Sequence, residues 1–259
     1  MLKHRNARYV EINAVDTDIK PRHVWQKAYI LQMKLVAFRR KQHLDGFAPV
    51  GVEPGENIDP RYTWAQTQRV LTEIRIIRKV LGISGEVGVA APPIEGKKPV
   101  DVFNKLAQIE AEWDALTGVS FDPSYTFSQI LRVNEDVDMV LRKLNVFDSA
   151  IPPVKDLPAT PADALAQTFL LLAEVQRLQK LAGLEVTDFS DFHKTENVIP
   201  ANVLTMVSLI LAELQQIKDR VGLKHNITPP ASYHEGKKPA DVRQFLGYVT
   251  NKLALIQHL

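Results

Sequence analysis

The segment EGKKPVDV, from Glu95 to Val102, recurs almost unchanged as EGKKPADV, from Glu235 to Val242. The two copies lie 140 positions apart in the chain. The same shift relates three further pairs of residues, which are Pro21 and Pro161, Pro60 and Pro200, and Gly82 and Gly222. Self-similarity at one fixed offset is the signature of a duplicated structural unit. The chain is therefore predicted to be built from tandem repeats.

A proline opens each repeated segment. Proline suits the first position of an α-helix, because its fixed φ is helical and it has no amide hydrogen to leave unpaired. Asp59 and Asp122 directly precede two of these prolines and are predicted N-caps, and Gly82 and Gly222 are predicted to end helices in the left-handed conformation. Seven helices are predicted, starting near Pro21, Pro60, Pro99, Pro123, Pro161, Pro200 and Pro239.

Apolar residues follow each proline at alternating spacings of four and three, which places them on one helix face. Two of these stripes, 140 positions apart, are Val102, Leu106, Ile109, Trp113 and Leu116, and Val242, Leu246, Val249, Leu253 and Ile256. An average spacing near 3.5 residues favours helices that pack almost antiparallel in bundles. The predicted fold is all-α, with tandem helix-turn-helix repeats whose seven main helices form one or two antiparallel bundles.

The repeats divide the chain into a lead-in of residues 1–20, a first helical unit of residues 21–120 and a second of residues 121–259. A complete unit should hold four helices, yet only three begin in the first unit. Either the first unit contains only three helices, or the protein extends ahead of Met1. The helix that starts at Pro123 would be able to complete either bundle.

Composition excludes several classes of function. The 32 Lys and Arg residues nearly balance the 30 Asp and Glu residues, so the net charge of +2 does not favour a nucleic-acid partner. The longest apolar stretch, Val203 to Ala212, is about half of what a membrane span needs. The start MLKHRNARYVEINAV lacks the apolar run of a signal peptide. The absence of cysteine favours a bacterial periplasmic or secreted location, with the cytoplasm as the alternative.

The sequence contains no recognisable catalytic or metal-binding pattern, so no cofactor, metal or enzymatic activity is predicted. The seven histidines show no HExxH or paired i, i+4 spacing. Two groups of acidic residues are expected on the solvated sides of their helices, where their pKa values would stay ordinary. They are Glu110 and Glu112, and Glu135, Asp136 and Asp138.

Two sets of repeated residues are candidates for ligand binding. The aromatic residues at matched points in the first turns of two helices are predicted to close a bundle end or to line an apolar pocket there. The lysines of the EGKKP loops lie beside helix starts, where they and the helix amides would be able to hold an anion. The alternative is that the repeated turn sequence serves only to cap the helix. These candidates are Tyr62, Trp64, Tyr125 and Phe127, and Lys97, Lys98, Lys237 and Lys238.

The architecture favours a non-enzymatic protein-interaction or scaffolding module, because arrays of helices commonly present extended surfaces to protein partners. The alternative is a sensor domain that binds a small molecule in a pocket between the bundle helices. An all-α enzyme is the third hypothesis, and no set of acidic, basic or metal-ligating residues supports it.

Overall fold

The computed structural model describes residues 10–44, 52–54, 58–83, 94–118, 120–194 and 197–259. Within these residues the protein is all-α, with seven α-helices and no strand, which confirms the predicted class. Each α-helix begins at one of the predicted prolines. The helices are α1 (Pro21–Lys41), α2 (Pro60–Val80), α3 (Pro99–Thr117), α4 (Pro123–Lys143), α5 (Pro161–Leu181), α6 (Pro200–Arg220) and α7 (Pro239–Ala254), and a short 3-10 helix covers Ser190–Lys194.

The predicted start and stop signals act locally as expected. The side chains of Asp59 and Asp122 accept hydrogen bonds from the backbone amides two residues later, at the starts of α2 and α4. Gly82 and Gly222 follow α2 and α6 with φ values of +61° and +81°, in the left-handed region that glycine adopts without strain. Residues close in sequence therefore fix where these helices begin and end.

The chain forms two compact units. One contains the described residues of Met1–Gly51 and Ile58–Ser120, and the other contains those of Val52–Asn57 and Phe121–Leu259. In the first unit, α1 packs against both α2 and α3. The described residues 52–54, part of the connection between α1 and α2, belong to the second unit, which the sequence did not indicate.

The helices of the first unit run parallel to each other. Thr63, near the start of α2, donates a hydrogen bond to the carbonyl of Pro21, the first residue of α1. Near the other end, Arg39 of α1 donates to Glu73 of α2 with an Nη1 to Oε2 distance of 3.1 Å. The first turns of the two helices are thus in contact with each other, and so are their later turns. The helices α1 and α2 must therefore point in the same direction.

The second unit is a parallel four-helix bundle. Each of α4 and α5 packs against both α6 and α7, so α4 and α5 lie across the bundle from each other. The starts of all four helices surround one narrow cavity, and Gln179 of α5 donates to Glu213 of α6 at 2.5 Å in the later turns. The cavity is lined by Pro123, Thr126, Pro161, Ala164, Pro200, Val203, Pro239 and Val242.

The predicted antiparallel direction is therefore wrong, although the helices and the bundling are as predicted. Apolar stripes with a 3.5-residue spacing fit parallel and antiparallel neighbours equally well. The connections decide the direction. Within each unit they are about 18 residues long, enough to span up to roughly 60 Å, whereas a 21-residue helix is roughly 32 Å long. Each connection can thus return along the bundle to the end where the next helix starts.

Candidate interaction surface

The two predicted aromatic residues of the first unit lie in opposite environments. Tyr62 packs against a buried cluster formed by Trp25, Tyr29 and Ile58. Trp64, two positions further along α2, is 67% exposed. Tyr62 therefore contributes to the core, whereas Trp64 presents its ring to solvent.

The matching aromatic residues of the second unit make separate ring contacts. The ring of Tyr125 lies between those of Phe121 and Tyr233, at centroid distances of 4.9 and 5.0 Å. The ring of Phe127 packs against Phe245 at 5.1 Å. Neither Tyr125 nor Phe127 lines the narrow cavity at the start of the bundle, which is formed by four prolines and by the small side chains of threonine, alanine and valine.

The predicted lysines lie beside helix starts that a carboxylate already caps. The backbone amide of Lys98 donates to Asp101 in the first turn of α3 at 2.8 Å, and the ammonium of Lys97 lies 4.0 Å from the same carboxylate. In the second unit the amide of Lys238 donates to Asp241 at 3.0 Å. In both loops the hydrogen bond at the helix start joins the backbone amide of a lysine to a carboxylate in the first turn.

Lys237 makes a different contact from its counterpart Lys97. Its ammonium lies 4.3 Å from the centroid of the Phe127 ring, a distance suited to a cation–π interaction. The structure therefore brings two predicted site residues together, Lys237 and Phe127, although they are far apart in sequence.

One side of α2 is partly open. It is the side that corresponds, in the repeat, to the side of α6 on which α4 packs. Lys218 of α6 bonds Asp136 of α4, and residues spaced three or four apart from Lys218 share its helix face. Those residues of α6 are all buried, and they are Leu204, Val207, Leu211, Leu214 and Lys218. Their counterparts in α2 are Trp64, Thr67, Leu71, Ile74 and Arg78, of which Trp64 is exposed and the others half-buried. Trp64 is 67% exposed where Leu204 is 1% exposed.

The corresponding side of α3 is open as well. Val102 is 38% exposed, whereas its counterpart in α7, Val242, is 2% exposed. Ile109 is half-buried, whereas its counterpart Val249 is fully buried. The sequence predicted both stripes to be core, so burial of the α3 stripe is only partly realised.

One difference between the units explains both observations. In the second unit α4 packs on α6 and α7, but no described helix of the first unit corresponds to α4. The apolar residues that would face such a helix therefore remain accessible. We call them the open face, and they are Trp64, Leu71, Ile74, Val102 and Ile109.

Acidic residues expected in solvent are instead buried in the first unit. Glu110 of α3 lies in the interface with α1, where its carboxylate is 2.5 Å from the ammonium of Lys27 and 3.6 Å from that of Lys34. Burial alone would raise the pKa of Glu110, but the two ammonium groups hold it below its usual value. A helix stripe read by itself gave no sign of this, because the two lysines lie on another helix.

A second buried ionic cluster ties the second unit together. Lys218 donates to Asp136 at 2.7 Å, and Thr228, in the connection after α6, donates to the same carboxylate. Arg132 donates to Glu53 at 2.6 Å, and burial raises the pKa of Glu53 to about 7. The expectation that Asp136 faces solvent is therefore wrong. The Lys218–Asp136 pair joins α6 to α4, whereas Thr228 and Glu53 attach connecting segments to α4.

The connection between α4 and α5 exposes a row of apolar side chains. Pro153 packs so closely on α7 that a Cβ at Gly247 would lie 2.8 Å from its Cγ. The side chains that point away from the bundle are at least 77% exposed, and they are Phe147, Ile151, Val154 and Leu157. A run of exposed apolar residues on a well-anchored segment is typical of an interaction surface.

A search with protein-family models finds no match to this chain, and neither the curated proteins nor the solved structures give one. Among the described residues, no helix is both long and apolar enough to cross a membrane. The same residues hold no group of three His, Asp or Glu side chains placed to bind a metal ion.

Proposed function

We propose that this protein is a non-enzymatic interaction module whose first unit receives an α-helix from a partner protein on the open face. The observation that supports the proposal is the contrast between the two units, in which the same positions are buried beneath α4 in one and accessible in the other. A helix is the matching occupant, because a helix fills this position in the second unit.

The chemistry of the open face suits such a partner. Trp64, Leu71 and Ile109 offer large apolar side chains beside a core that α1 already holds in place. Tryptophan is among the residues that contribute most to protein interfaces when a partner covers it. The exposed row on the connection between α4 and α5 supplies a separate apolar surface, which supports a scaffolding role.

Helical peptides built on residues 121–146, which contain α4, provide a direct test. The charges at positions 136 and 138 would be prepared in all four combinations of Asp and Lys. Because the natural chain has no cysteine, Leu71→Cys in the full chain accepts a single environment-sensitive dye. We expect at least one peptide to give a saturable emission change, since its apolar face would cover the dye.

Lys79→Cys is the matched control. Position 79 is exposed in α2, as is its counterpart Asp219 in α6, so a helix on the open face should not cover it. The proposal fails if no peptide gives a saturable change at position 71, or if the dye at position 79 responds equally. Concentration-dependent self-association that buries position 71 would also overturn it, because the occupant would then be a second copy.

A further inference from the structure

The helix α4 is held in the second unit by two charged contacts, one with each of its neighbours α6 and α7. Asp136 accepts a hydrogen bond from Lys218 of α6 at 2.7 Å. Asp138 accepts one from Lys252 of α7 at 2.6 Å. Both lysine side chains are almost completely buried. The acid-apolar-acid sequence of α4 at positions 136 to 138 therefore matches a basic residue on each neighbouring helix.

The first unit carries a different pair of charges at the equivalent positions. The counterpart of Lys218 is Arg78, which keeps the positive charge, and the counterpart of Lys252 is Glu112, which reverses it. Both residues are half-buried beside the open face. Glu112 accepts a hydrogen bond from Gln108 of its own helix at 3.0 Å, which positions its carboxylate beside the open face.

From these charges we infer which helix the open face selects, and this inference rests on the proposed function. The partner helix runs parallel to α2 and α3 and carries an acidic residue toward Arg78 and, two positions later, a basic residue toward Glu112. A helix with the sequence of α4 would instead place a second carboxylate against Glu112. The occupant is therefore a helix of a different protein with an acid-apolar-base pattern, and not α4 of a second copy.

The geometry of helices makes this pattern specific. Residues two positions apart point about 200° apart around a helix, so one faces α2 while the other faces α3. Opposite charges at these two positions can both be satisfied only if the helix runs parallel and in the register of α4. Like charges brought together at an interface are destabilising, which excludes competing helices.

The peptides of residues 121–146 test this selection directly. We expect the Asp138→Lys peptide to bind the full chain about fivefold more tightly than the unchanged peptide, the size of one favourable rim ion pair. The matched control is Glu135→Lys, which makes the same charge change at an exposed position of α4. That peptide should bind like the unchanged one. In the chain, Glu112→Lys should reverse the preference, whereas Glu95→Lys, at an exposed loop position, should leave it unaltered.

The outcomes separate this inference from the proposed function. If all peptides bind equally, or if Asp138→Lys and Glu135→Lys gain equally, the charge selection is wrong while the open face still binds helices. If no peptide binds, the proposed function itself fails. If the unchanged peptide binds best and Glu112→Lys weakens it, the occupant resembles α4 and the inference is overturned.

Discussion

Substituting Gly247 with alanine tests how the exposed connection is anchored to α7. In an ordinary helix interior, Gly→Ala stabilises by about 1 kcal/mol, because alanine restricts the unfolded chain and favours the helix. Here the added Cβ would lie 2.8 Å from Cγ of Pro153, well inside the roughly 3.5 to 4.0 Å of a favourable carbon contact. The proline ring is rigid, so the connection itself would have to move.

The magnitude follows from what that movement breaks. Gln244 donates to the carbonyl of Pro153 at 2.9 Å, and Asn251 donates to the carbonyl of Ile151 at 3.0 Å. Losing two hydrogen bonds costs about 2 kcal/mol, which exceeds the gain of about 1 kcal/mol in helix propensity. We therefore expect Gly247→Ala to lower the free energy of unfolding of the second unit by about 1 kcal/mol.

Urea unfolding followed by circular dichroism measures this change. In a Pro153→Ala background the clash is absent, and Gly247→Ala should then stabilise the protein by about 1 kcal/mol. The matched control is Ala107→Gly, at the counterpart of Gly247 in α3, which should cost only the intrinsic propensity of about 1 kcal/mol. If Gly247→Ala stabilises the unchanged protein, the close approach of Pro153 does not require glycine, and the reasoning is refuted.

Three further predictions concern burial and charge. Lys218→Met should destabilise the second unit by about 3 kcal/mol or more in urea unfolding, because it leaves the buried carboxylate of Asp136 without its ammonium partner; a loss below 1 kcal/mol would contradict this. The pKa of Glu53 is raised to about 7 in the folded state, so its contribution to stability is complete below its ordinary pKa and is lost as the pH rises through 7. The free energy of unfolding should therefore fall by up to roughly 3 kcal/mol between pH 5 and pH 8, and Glu53→Gln should remove this fall. If the variant shows the same dependence on pH as the unchanged protein, Glu53 is not its source. Leu204→Ala should cost about 2 to 5 kcal/mol, whereas Trp64→Ala, at the equivalent but exposed position, should cost under about 1 kcal/mol; equal thermal-unfolding losses would show that the open face is covered.

The sequence predicted only part of the candidate surface. The repeat placed Trp64 at a matched position, but only the packing showed that its ring is exposed while Tyr62 lies against the core. The buried state of Glu110 and Asp136 was missed because their lysine partners lie 83 and 82 positions away in the chain. Lys27 and Lys34, one heptad apart on a helix without acidic residues, were the available signal.

The sequence by itself determined the class of the protein and the start of each of the seven described α-helices. The signals for these features are local. They are the geometry of proline, the capping carboxylates of Asp59 and Asp122, and the spacing of the apolar stripes, and each can be interpreted from a few neighbouring residues. The direction of the helices, the pairing of neighbours and the exposure of the open face depend on side chains that meet only after the chain has folded back on itself. An apolar stripe on one helix predicts that a partner covers it, but only the tertiary structure shows which helix that partner is. For the open face of α2 and α3, it shows that no helix among the described residues of the first unit corresponds to α4.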